Sequence, residues 1–157
     1  MCFFYSKKFK YWIGYYIHME TQMNVLEAFA EKIRDNVKVA ENIRYNKNTD
    51  EITMWINNYF VVLDPQFDDD ELIYTTIKIE EWYYGKVVER FYLSTGKVLY
   101  EHYTNSGYEK FVYECDFGPN TEDPIILVDE QSLFDFLNSL EEFDFKEEFK
   151  SFAGLQP

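Results

Sequence analysis

A hydrolytic nucleophile needs a base beside it, usually a histidine, and the chain has two, His18 and His102. His18 falls in an N-terminal stretch treated separately below. His102 sits in an alternating segment between Glu101 and Tyr103, and alternation turns it to the opposite face from both. Cys2 and Cys115 have no partner that spacing identifies, so the sequence assigns no catalytic residue. Zinc sites take three or four Cys or His ligands, and the four such residues here have no ligand spacing.

Carboxylates are the abundant reactive groups, 29 Asp and Glu in 157 residues. Calcium loops alternate their oxygen ligands around a glycine bend and end on a distal Glu. Asp68-Asp69-Asp70-Glu71 is contiguous, and adjacent side chains in an extended stretch point apart, so it reads as a solvated loop. Glu80-Glu81 precedes Trp82-Tyr83-Tyr84, an acid and aromatic cluster that suits either a sugar-binding hydrolase or the end of a strand. Asp144-Phe145-Lys146 has the acid-x-Lys spacing of nucleases but falls on an expected helix start, not a strand. No glycine-rich loop cradles phosphate. The expectation is a protein with no catalytic residues, no metal and no cofactor.

The net charge is −14 at neutral pH and is unevenly distributed. Residues 1–63 carry 8 basic and 7 acidic residues, whereas residues 64–157 carry 7 and 22. Such a field repels nucleic acid and anionic membranes and attracts basic surfaces within a Debye length of roughly 8–10 Å. Direct nucleic-acid binding needs clustered cations, and Lys7, Lys8 and Lys10 form the one basic cluster. No apolar run reaches the ~18 residues of a membrane span. Two distant cysteines make no disulfide framework, which points to a reducing, cytoplasmic setting.

Aromatic residues make up 20% of the chain, so it has the means to build a core and is no acidic disordered tail. Its length fits one domain. Residues 1–22, basic and aromatic, read as a poorly ordered extension, with Met19 and Met23 as alternative starts; residues 23–157 form a single acidic domain. Asn24 and Glu27 make a capping-box-like start, and Leu26, Phe29, Ala30, Ile33 and Val37 fall on one helical stripe, predicting a helix at 24–36. The period then becomes two. Strands are expected from Val37 to Tyr45, Ile52 to Ile56, Tyr59 to Leu63, Ile73 to Ile79, Val87 to Leu93, Val98 to Tyr103 and Tyr108 to Cys115. Asp64-Pro65 is expected to open a loop running to Glu71. Short turns make the strands an antiparallel meander. Asp129 or Ser132 caps a helix carrying Leu133, Phe134, Leu137 and Leu140, and Asp144 starts a second carrying Phe145, Phe149 and Phe152, with Gly154 at its end. The predicted class is α+β: an N-terminal helix, six or seven antiparallel strands and two short C-terminal helices.

On that framework the acids decorate a rigid surface. The candidate partner-binding residues are Asp68, Asp69, Asp70, Glu71, Glu80, Glu81, Glu122, Asp123, Asp135, Glu141, Glu142, Asp144, Glu147 and Glu148. Solubility alone asks for a net charge of about 2–8, so the excess suggests a basic partner. In size, charge, aromatic richness and helix–meander–helix order the chain resembles the small acidic anti-defence proteins of phages and mobile elements, including anti-CRISPR proteins that mimic DNA. The resemblance rests on no residue motif and assigns no site. It implies a non-enzymatic inhibitor that occupies the basic groove of a nucleic-acid-binding effector. The alternatives are an immunity or adaptor protein that neutralises a basic toxin, and a carboxylate-based hydrolase around Trp82 to Tyr84.

Overall fold

The protein's computed structural model describes residues 25–94, 96–104, 110–116 and 124–153. The N-terminal extension, Asn24, residues 105–109 and 117–123, where turns are expected from sequence, and Gly154 lie outside the described residues. The architecture is α+β as expected, with helices layered on one face of a seven-stranded antiparallel sheet.

Helix α1 (25–36) buries the stripe Leu26, Phe29, Ala30 and Ile33. Val37 belongs to that stripe as well: its amide bonds to the Ile33 carbonyl at 2.8 Å and its side chain is in the core. The strand expected to begin at Val37 therefore begins four residues later. The strands are β1 (Glu41–Asn46), β2 (Glu51–Ile56), β3 (Tyr59–Asp68), β4 (Glu71–Tyr83), β5 (Lys86–Ser94), β6 (Lys97–Tyr103) and β7 (Lys110–Asp116). They lie side by side in chain order, as short turns require.

The expected loop at Asp64-Pro65 is instead strand. β3 runs through Pro65, which pairs with Thr75 of β4, while its pairing with β2 stops at Leu63 opposite Ile52. Beyond Leu63 the β2 side of β3 is an open edge, where a residue without an amide proton is tolerated.

Two bulges follow from parity. The inward residues of β3 (Val61, Leu63), β4 (Ile77, Ile79) and β5 (Phe91, Leu93) all have odd numbers, so inward pairs must sum to an even number. The two-residue turns Asp69-Asp70 and Tyr84-Gly85 impose odd sums, as in Asp68↔Glu71 and Tyr83↔Lys86. One extra residue in each hairpin, Ile73 and Val88, restores the inward register.

Helix α2 (Glu130–Asn138) is capped by Asp129, whose carboxylate accepts from the Ser132 amide at 2.9 Å. Helix α3 (Phe145–Ala153) is capped by Asp144, which accepts from the Glu147 amide at 3.0 Å. Phe29 bridges α1 to Phe67 of β3 and Phe134 of α2, while Phe149 of α3 meets Tyr100 of β6. Between them runs an aromatic seam of Tyr59, Phe91, Phe143 and Phe145, with edge-on ring centroids 5.1–5.6 Å apart. The Tyr59 hydroxyl donates to the Phe143 carbonyl at 3.2 Å, tying the interhelical turn to the sheet.

Candidate functional site

The sheet has two unlike faces. On the helix-covered face the central strand residues, such as Met54, Leu63, Ile77, Ile79, Phe91, Leu93 and Val98, are apolar and buried. The other face is open, and onto it alternate Glu51, Asp64, Glu80, Glu101 and Glu114 with Arg44, Lys78, Arg90, Lys97 and Lys110. Arg90 on β5 is the hub: its Nε donates to Glu80 on β4 and its Nη1 to Glu101 on β6, each at 2.8 Å. Lys110 on β7 reaches the other Glu101 oxygen at 3.1 Å, and Lys97 pairs with Glu114 at 2.8 Å. Burial raises the Glu101 carboxyl, but the bonds from Lys110 and Arg90 outweigh it and hold it below its ordinary value. Beside this network Trp55 meets Phe60 at a tilt and Trp82 edge-on, at centroid distances of 5.0 and 6.5 Å.

The fourteen acids singled out from sequence divide into four groups. Glu122 and Asp123 lie outside the described residues. Asp68, Asp69, Asp70 and Glu71 make the β3–β4 hairpin tip, all exposed, with Asp69 at a φ of 54°. Glu80 is not presented to solvent: its side chain is 8% exposed beneath Arg90. The remaining group is C-terminal apart from Glu81. Asp135, Glu141, Glu142, Asp144 and Glu147 are exposed on α2, α3 and the turn between them, and Glu148 is half-buried.

Glu81, next to Glu80, points the other way, toward the helical layer, and accepts from the Asn58 amide at 3.2 Å. There the structure adds a residue the sequence reading missed. Glu89 pairs with Glu81 across β4 and β5 and hydrogen-bonds Tyr100, near Asp144 at the start of α3. Burial pushes the Glu89 carboxyl up; the bond from Tyr100 opposes this, and the charges of Glu81 and Asp144 reinforce it. The Tyr100 hydroxyl is raised by burial and by Glu89, and Glu148 is raised by burial and by Asp144. The signal available in sequence was the parity conflict at Tyr84-Gly85, because the bulge at Val88 is what sets Glu89 opposite Glu81.

This cluster has acids but little of a hydrolase's geometry. Glu89 accepts from Tyr100, and Nδ1 of His102, on the same face, is buried with no hydrogen-bond partner among the described residues. The neighbouring cavity, about 200 Å³, is lined by Tyr100, Tyr113, Phe149, Lys146 and Lys150 and by no carboxylate. Among the described residues no three His, Cys, Asp or Glu side chains are placed to hold a metal ion. No described helix is long and apolar enough to cross a membrane.

No family model matches the chain, and comparison with curated proteins and with solved structures gives no match.

What the arrangement offers is a rigid display of charge. Residues 124–153 carry eight carboxylates against two lysines, and the apolar positions of α2 and α3 are spent on the core. Like charges this close repel one another, a cost that a basic partner would relieve.

Proposed function

We propose that this protein works by binding and not by chemistry. It is a non-enzymatic inhibitor whose acidic helical layer occupies the basic groove of a nucleic-acid-binding protein, an anti-CRISPR-like nuclease effector being the fitting class. The observation that carries this reading is the exposed set Asp135, Glu141, Glu142, Asp144 and Glu147, on α2, on α3 and on the turn between them, a layer anchored by Phe143, Phe145 and Phe149. Carboxylates fixed on such a scaffold can stand where phosphates stand along a duplex and meet the same lysines and arginines. The open sheet face suits this role less, because its acids are interleaved with bases.

The test is capture from host lysate with and without nuclease treatment, followed by displacement with duplex DNA and with salt. The reading expects a basic nucleic-acid-binding protein that is retained after nuclease digestion and released by DNA and by salt. Tight capture of a toxin that DNA does not displace would instead identify an immunity protein. Capture of no basic protein at all would sink the proposal.

A further inference from the structure

The two edges of the sheet are built differently. β1 is blunted in the ways sheet edges usually are: Glu41 and Arg44 are exposed, Asn42 has a φ of 53°, and the register breaks between Glu41 and Arg44. β7 carries exposed charges too, Lys110 and Glu114, but it has neither a left-handed residue nor a break in register. It pairs in regular register with β6 from Lys110 to Asp116, and among the described residues nothing pairs with its outer side. Its centre is Phe111, Val112 and Tyr113, exposed to 47%, 50% and 47%. A regular, apolar strand edge of this kind is a template for another strand.

We infer that β7 is a homodimer edge, pairing antiparallel with β7 of a second copy about a two-fold axis at Val112, so that two sheets become one of fourteen strands. The sequence of the strand selects this partner and this register. With the axis at Val112, Lys110 falls opposite Glu114 of the second copy and Glu114 opposite its Lys110. Val112 meets Val112 on the open face, and Phe111 meets Tyr113 of the second copy on the helical face. From Lys110 to Glu114 each opposed pair is thus opposite in charge or apolar, the two kinds of cross-strand pair that stabilise a sheet, and Lys110 and Glu114 would share their charges with Glu101 and Lys97 of their own sheet. A two-fold axis requires such self-complementarity, and a strand selected for an unrelated partner would have no need of it. The helical face adds a second reason. Tyr113 stacks on Tyr100 at 5.5 Å and walls the apolar cavity of about 200 Å³ shared with Phe149, so Phe111 of the second copy would lie at its rim. α3 borders this edge, with Phe149 meeting Tyr113 at 6.2 Å and Lys146 and Lys150 lining the cavity there.

The experiment is sedimentation equilibrium of the full chain from micromolar to millimolar concentration, with carbodiimide cross-linking of the same samples. A concentration-dependent doubling of mass is expected. An amide between Lys110 and Glu114 should occur in the dimer band, and it reports pairing between copies because four residues along one strand span ~13 Å. Val112→Lys sets like charges across the axis and should weaken association at least about ten-fold while leaving the far-ultraviolet circular dichroism unchanged. A wild-type chain that stays monomeric throughout overturns the inference. So does a dimer without the Lys110–Glu114 link, or one that folded Val112→Lys leaves intact.

Discussion

The Nε of Arg90 donates to Glu80 at 2.8 Å across β4 and β5, joining two charged side chains on the face the helices do not cover. The Glu80 and Glu101 side chains are 8% and 11% exposed; Glu80 has Arg90 as its counter-charge, and Glu101 shares Arg90 with Lys110. Removing one partner of a buried ion pair leaves the other charge uncompensated. Arg90→Met should cost about 3 kcal/mol by urea unfolding, and Arg90→Lys less, since one ammonium keeps the charge but not the two-armed fork. Thermal melts of the two variants should rank in that order below the parent.

Glu101 makes stability fall in acid. Its folded carboxyl lies below the ordinary 4.5 because Lys110 and Arg90 outweigh burial. Its contribution is therefore fully present above the ordinary carboxylate range and is lost as pH drops through the lowered value. Stability measured from pH 6 to pH 3 should decline, and Glu101→Gln should flatten that decline while lowering the neutral plateau.

Glu89 carries the opposite sign. Burial, Glu81 and Asp144 raise its carboxyl above the ordinary 4.5, against the bond from Tyr100. Its favourable contribution is present below the unfolded value and is lost as pH rises through the folded one. Glu89→Gln, which keeps an acceptor for Tyr100, should raise the melting temperature at pH 7 and leave it unchanged near pH 4. An equal effect at both values would show that ionisation of Glu89 is not the cause.

Tyr84 occupies a left-handed position, φ 50°, ahead of Gly85 at 75°, in a two-residue turn that ordinarily takes Asn-Gly. Its ring is 86% exposed. Tyr84→Asn should stabilise the fold by about 0.5–1 kcal/mol in denaturant unfolding. Weaker capture of the partner by this more stable variant would place the turn within the binding surface.

Charge reversal separates the two exposed acidic groups. Glu141→Lys with Glu142→Lys relieves repulsion in the helical layer, so stability should hold or rise by a few tenths of a kcal/mol. Affinity for the captured partner should nevertheless fall at least about ten-fold. Asp69→Lys with Asp70→Lys, at the hairpin tip, is expected to change affinity much less. The reverse ranking, read by titration calorimetry, would move the binding surface to the tip.

Much of the fold is legible in the sequence because its determinants are local. The helical stripe from Leu26 to Ile33, the period of two along β4 and β6, and the caps Asp129 and Asp144 each depend on residues within a few positions of one another. Val37 and Pro65 misled for the complementary reason. Val37 is apolar in either period, and only the bond to Ile33 settles it as helix. Pro65 breaks a strand that has neighbours on both sides, and only the early end of β2 leaves it an open edge.

For the candidate surface, the sequence by itself determined the quantity and sign of charge and its concentration after residue 63. Which acids remain on the surface was decided by tertiary structure. Without the bulge at Val88, the Tyr84-Gly85 turn would set Glu80 opposite Glu89 and turn Arg90 toward the core. With it, Phe91 and Leu93 reach the core, Arg90 takes up Glu80 and Glu101, and Glu89 comes opposite Glu81, which alternation along β4 already turns to the helical layer. One inserted residue therefore decides which side chains of β5 meet these two glutamates, because burying Phe91 and Leu93 outweighs the broken ladder.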